Sequence, residues 1–159
     1  MTTSKQYSKY LIVDGHRVTL QIHDTPGYCD FDRWRPLAYP NTDVFVLCFS
    51  FSLPSSVANL KQVWVSEVKQ FGPNVPMILV GAKSDIKKEE NENYILLESK
   101  NVDDIATYET GLKLSKEIEA EKYVECSALT GEGVQEVFEE SIRVVLARRP
   151  REKNGCAVS

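Results

Sequence analysis

The stretch that most constrains this chain runs from Arg17 to Pro40. Arg17–His23 alternates apolar and polar residues, the period of a half-buried strand, and the run stops at Asp24, followed by Thr25-Pro26-Gly27. Upstream, Tyr7–Val13 is a second alternating run. Asp14–Gly15 separates the two, and Asp-Gly between such runs predicts an antiparallel hairpin. In an open α/β sheet, ligands sit at the carboxyl ends of strands. An acidic side chain there suits a hydrated Mg²⁺, and the backbone N–H of Gly27 suits a phosphate oxygen.

The rest of the chain alternates strand and helix. Val44–Ser50 is continuously apolar and predicts a strand buried on both faces. Pro54-Ser55-Ser56 opens a helix with Val57, Leu60, Trp64, Val68 and Phe71 on its inner face, and Gly72–Pro73 closes it. Met77–Val80 is a second buried strand, leading into Gly81-Ala82-Lys83-Ser84-Asp85. Residues 87–104 are polar and charge-rich, as in a solvated loop or surface helix. Thr110–Ile118 predicts another helix and Tyr123–Cys126 a short strand ending at Ser127-Ala128-Leu129. A last helix carries Val134, Val137, Phe138, Ile142 and Val145 on one face, and Pro150 ends it. The pattern fits one α/β domain of mixed, mostly parallel sheet with helices on both faces.

Charge and cysteine content narrow the function. The 159 residues carry a net charge of −4, but residues 148–159 sum to +3, leaving −7 on the remainder. An acidic body argues against a nucleic-acid partner, whereas a short basic tail suits an anionic membrane surface. Cys29, Cys48, Cys126 and Cys156 lack paired spacing, no apolar leader opens the sequence, and no apolar run is long enough to span a bilayer. Reduced thiols in a cytosolic setting follow. With only His16 and His23, neither in a Cys/His cluster, a zinc site is not expected.

Taken together, Asp24-Thr-Pro-Gly with the following Asp32-Arg-Trp-Arg-Pro-Leu-Ala-Tyr-Pro40 resembles switch II of Rho/Rac-family small GTPases. Ala82-Lys83-Ser84-Asp85 resembles the family's Asn/Thr-Lys-x-Asp motif, and Cys126-Ser127-Ala128-Leu129 its second base-recognition loop. The resemblance implies a Ras-like GTPase domain over residues 1–147 that binds GTP or GDP with Mg²⁺. Asp85 would accept the N1–H and N2–H₂ donors of guanine, a pair that adenine lacks. Lys83 would lay its stem along the purine. The Ala128 N–H would meet guanine O6, and Ser127 would steady the loop. Asp24 and Gly27 would serve the Mg²⁺ and the terminal phosphate. Ala82 departs from the pattern, and loss of the usual tethering side chain should loosen the loop by about 1 kcal/mol.

Three further departures shape the expected activity. No Gly-x-x-x-x-Gly-Lys-[Ser/Thr] phosphate loop occurs in the 159 residues. The sequence thus reads as beginning within the family's switch I, with the first strand and helix missing, as in an incomplete gene model, a splice form or a degenerate paralogue. In that case two interior sheet edges are left unpaired, or pair with each other, and apolar sheet surface is left bare. Thr2 or Thr3 lies near the place of the family's Mg²⁺-coordinating Thr, with flanking residues that do not match. Tyr28 stands where the family's catalytic Gln orients water, and Pro26 where Ala is usual, so no catalytic residue is assigned and hydrolysis should be severely impaired.

Cys156-Ala157-Val158-Ser159 fits a prenylation motif, with terminal Ser favouring farnesyl and the basic residues of the 148–159 tail as a second membrane signal. A place on the cytoplasmic face of a membrane, with a cytosolic pool, follows. Regulators, effectors and guanine-dissociation inhibitors of the Rho type are the implied partners, and Trp34, Leu37 and Tyr39 resemble the surface that regulators use. Three readings stay open: a nucleotide-switched signalling GTPase, a pseudo-GTPase interaction protein that keeps the surface without switching, or a truncated form that neither binds nor hydrolyses GTP efficiently and has no stable fold.

Overall fold

The computed structural model describes residues 5–27, 30, 32–53, 55–87 and 108–148. The charge-rich segment 88–107 and the basic tail lie outside them. β1 (Lys5–Val13) and β2 (His16–Asp24) form the expected hairpin, in register from Val13↔His16 to Lys5↔Asp24. Asp14 and Gly15 take φ of 50° and 80°, the paired left-handed conformations of a type I′ turn.

β3 (Phe45–Ser50), β4 (Met77–Ala82) and β5 (Lys122–Cys126) form a separate parallel sheet in that order. β4 is central, and Met77 through Gly81 are buried. On one face, Phe45, Leu47, Phe49 and Leu79 meet Leu60, Val68, Leu114 and Ile118. Leu60 belongs to a π-helical segment, Leu60–Trp64, between α1 (Ser55–Asn59) and α2 (Val65–Phe71). Leu114 belongs to α3 (Tyr108–Glu117), and Ile118 directly follows it. On the other face, Ile78, Val80 and Val124 meet Val137 and Val144 of α4 (Val134–Arg148). Each fully buried aliphatic side chain stabilises the domain by ~1.5–3 kcal/mol.

Three details differ from expectation. β3 is not buried on both faces: Phe45, Leu47 and Phe49 are inside, but Val46 is 41 % exposed and Cys48 is exposed. β3 is the edge of its sheet, and α4 covers β4 and β5 only. Phe71, the last residue of α2, is half exposed, beyond buried Val68. On α4, Val144 and Ser141 are buried beside Val137 and Ile142, whereas Val134, Phe138 and Val145 are half-buried.

Among the described residues no ladder joins β2 to β3. The hairpin is held to the body through buried Val13 and an ion pair at its turn. Arg143 of α4 donates to Asp14 from Nε at 3.0 Å and from Nη2 at 3.3 Å.

Candidate functional site

Parallel pairing brings Ala82 of β4 level with Cys126 of β5. The residues that follow, Lys83-Ser84-Asp85 and Ser127-Ala128, therefore leave the same sheet edge side by side. The Ser127 hydroxyl donates to Asp85 Oδ1, joining loops 42 positions apart in sequence. Ser127 is fully buried and saturated: its Oγ accepts the Thr130 N–H at 3.2 Å, its own N–H donates to the Glu132 carbonyl at 2.9 Å, and its carbonyl accepts the Gly131 N–H at 2.9 Å. Gly133 is required behind this loop. Its φ is +71°, and a Cβ there would lie 2.1 Å from the Glu125 carbonyl oxygen.

Lys83 adopts φ +62°, an uncommon left-handed conformation for a non-glycine, at a cost of ~1–3 kcal/mol. Its exposed ammonium reaches Ser52 Oγ at 3.0 Å, which ties this loop to the end of β3. Ser84 begins a 3₁₀ turn, Ser84–Lys87, with Asp85 half-buried in it. Ala128 is exposed in the neighbouring turn.

Asp24 and Gly27 lie at the end of the hairpin and just after it. Asp24 is the exposed last residue of β2. It lies close enough to Cys48 to act on its thiol, whose pKa rises to about 11 through burial among surrounding atoms, then through Cys126 and Asp24. No group of three or more metal-ligating side chains occurs among the described residues. Thr2, Tyr28 and Cys156 lie outside the described residues.

Sequence reasoning missed the group that organises the Asp24–Pro40 stretch. Arg35 is 3 % exposed. Its Nε donates to the Pro26 carbonyl at 3.0 Å, its Nη1 to Glu67 Oε2 at 3.1 Å and its Nη2 to Asp32. The guanidinium lies 4.5 Å over the Trp64 ring. Tyr39 donates its hydroxyl to the other oxygen of Glu67, and burial, followed by that bond, pushes its pKa well above the ordinary tyrosine range. Removing Arg35 would leave the Glu67 carboxylate without its counter-charge, at a cost of ~3–5 kcal/mol, whereas Arg35 without Glu67 keeps Asp32 and the Pro26 carbonyl. The available signal was the Asp32–Arg35 spacing on a Pro36-opened 3₁₀ turn, Arg35–Ala38. Of the three regulator-like residues, Tyr39 packs edge-on against Phe45 and Phe71, while Trp34 and Leu37 are 67 % and 70 % exposed.

An α/β domain with two such loops at one sheet edge belongs to a broad class of nucleotide-binding architectures. The sequence model of the Ras family matches residues 1–147. The Rho-related GTP-binding protein RhoB of human is 44 % identical over 155 residues, covering 98 % of this chain and 78 % of RhoB. The mouse and rat RhoB proteins give the same values. The chain belongs to the Ras family and, within that superfamily, to the Rho-type small GTPases.

Proposed function

We propose that this protein is a guanine-nucleotide-binding signalling protein whose base site is formed by Lys83, Asp85, Ser127 and Ala128. The hydrogen bond from Ser127 to Asp85 carries the reading. An ionised carboxylate offers about four lone-pair sites, so one bond to Ser127 leaves capacity for both guanine donors. Ser127 fixes the carboxylate, Lys83 covers the base and the Ala128 N–H meets O6. Asp24 would hold a Mg²⁺ through water, and the Gly27 N–H would meet the terminal phosphate. A lone carboxylate fits this metal, which keeps several waters and binds mainly through phosphates. When bound, Mg²⁺ neutralises phosphate charge. Saturable binding of GTP and GDP to the 159-residue chain by calorimetry, lost in Asp85→Ala, tests the reading, and its absence in a cooperatively folded chain refutes it.

Hydrolysis is a separate matter. With Tyr28 in place of Gln, no side-chain amide orients an attacking water. Slow turnover that activating proteins do not accelerate is expected, and a rate equal to ordinary family members would sink this. Residues 1–147 form the GTPase-type domain. Prenylation of Cys156, with the 148–159 basic tail, holds the protein on the cytoplasmic face of a membrane. A Cys156→Ser protein should leave the membrane fraction. Rho-type regulators and effectors are the partners.

A second reading rests on the exposure of Trp34 and Leu37 beside the anchored Arg35. It is an interaction protein that presents this surface without nucleotide control. Regulator binding that is indifferent to GTP, GDP or neither would favour it.

A further inference from the structure

We propose that Arg35 is a positioning residue that fixes the direction of the Gly27 amide before any ligand arrives. The inference rests on the nucleotide reading for its purpose but not for its geometry. The carbonyl that Arg35 Nε holds at 3.0 Å is that of Pro26. That carbonyl and the Gly27 N–H belong to one peptide unit. A trans peptide is planar, with C=O and N–H pointing in opposite directions, and the described residues contain no cis bond. Pinning the oxygen therefore aims the hydrogen away from Arg35.

The pin is itself rigid. Glu67 and Asp32 fork the two Nη atoms, the guanidinium rests on Trp64, and Tyr39 occupies the remaining Glu67 oxygen. Pro26 fixes its own φ, but this peptide turns about ψ of Pro26 and φ of Gly27, so its direction is left to the Arg35 bond. Among the described residues, a Cβ at Gly27 would meet nothing nearer than Trp64, at 4.0 Å. Among the described residues none accepts a hydrogen bond from the Gly27 N–H. The restraint on this peptide is thus the Arg35 bond to the Pro26 carbonyl. It gives a fixed donor in place of a ligand-induced one.

The test combines ¹⁵N relaxation of the ligand-free chain with calorimetry. In the wild-type protein the Gly27 N–H should have an order parameter near the rigid-backbone value of about 0.85; a value below about 0.6 overturns the proposal without any variant. Glu67→Gln, which leaves the Nε bond in place, should keep Gly27 rigid. Arg35→Lys, which loses that donor and keeps the charge, should drop it below about 0.6. A rigid Gly27 in a folded Arg35→Lys protein overturns the proposal. In calorimetry with Mg²⁺, Arg35→Lys should lower the ratio of GTP to GDP affinity about tenfold with GDP affinity unchanged, since only the terminal phosphate uses this donor. Equal losses for both nucleotides would show a merely structural role and overturn it. If the wild-type chain binds neither nucleotide, the nucleotide reading fails, and the order parameters still decide whether Arg35 sets the amide.

Discussion

Asp85 and Asp24 are both acidic residues at or just beyond a strand end, but their surroundings are opposite. Asp85 follows the buried central strand β4, half-buried itself, and takes the hydroxyl of fully buried Ser127. Asp24 ends an exposed hairpin strand that, among the described residues, shares no ladder with the parallel sheet. The contrast separates a carboxylate held by a buried hydroxyl from one presented in water. The first kind depends on packing beneath the loop; the second depends on what arrives.

The largest expected effect tests the packing difference. Leu79 is fully buried at the centre of β4, so Leu79→Ala should destabilise by ~2–5 kcal/mol in urea melts. Ile12 on the hairpin is 71 % exposed, and Ile12→Ala should change stability by less than ~0.5 kcal/mol. Comparable losses from the two would mean that another surface covers the hairpin in solution, and the contrast would break.

Next comes the chemistry of the two acids. Asp85→Ala removes a charged acceptor worth ~1.5–3 kcal/mol, so guanine-nucleotide affinity should fall roughly 10- to 150-fold by calorimetry. Asp85→Asn keeps an acceptor for Ser127 and should melt like wild type while still losing affinity. Asp24→Ala removes an exposed charge worth about 1 kcal/mol or less, a loss of about fivefold. A larger loss at Asp24 than at Asp85 would reverse the ranking and make the phosphate side dominant.

A smaller effect sharpens the base side. Lys83 bridges to Ser52 and Asp85 to Ser127, while Ala82 contributes no side-chain bond to the loop. Ala82→Asn should tighten nucleotide binding by about 1 kcal/mol, or fivefold, if the new amide finds the loop backbone. No change would show that the Lys83 and Ser127 links already hold the loop.

What could be read in advance follows the same division. The Asp14–Gly15 turn, the buried run Met77–Val80 and the loops after β4 and β5 were legible because local patterns dictate them: a two-residue turn, a continuous apolar strand, short motifs at strand ends. The exposed face of β3 was not. Val46 and Cys48 are apolar, and which strand lies at a sheet edge is a property of the assembly that composition does not encode. The π-helical turn at Leu60–Trp64 was equally hidden, since its sequence satisfies ordinary helical spacing. Arg35 escaped because its partners come from residues 26, 32 and 67; an arginine in a polar run reads as solvated until the fold brings Glu67 and Trp64 to it.

The smallest effect concerns the clip that ties the hairpin to α4. The hydrogen bond from Arg143 holds the Asp14 carboxyl below its ordinary value of 3.8. The sign follows from a depressed folded-state pKa. The contribution is fully present above the unfolded value and is lost as pH falls through the folded one, with Arg143 charged throughout. Between pH 7 and 5 the attachment should therefore not change, and below about pH 3.8 it should weaken. Asp14→Asn tolerates the same left-handed turn but carries no charge, so it should lack this acid step. The measurement is amide exchange at Val13 and His16, taken as the difference between the two proteins so that other titrating carboxylates cancel. Because Asp14 is exposed, added salt at neutral pH should bring wild type toward the variant. Identical acid and salt profiles would mean that Val13 alone anchors the hairpin and that the ion pair with Arg143 contributes nothing to its placement.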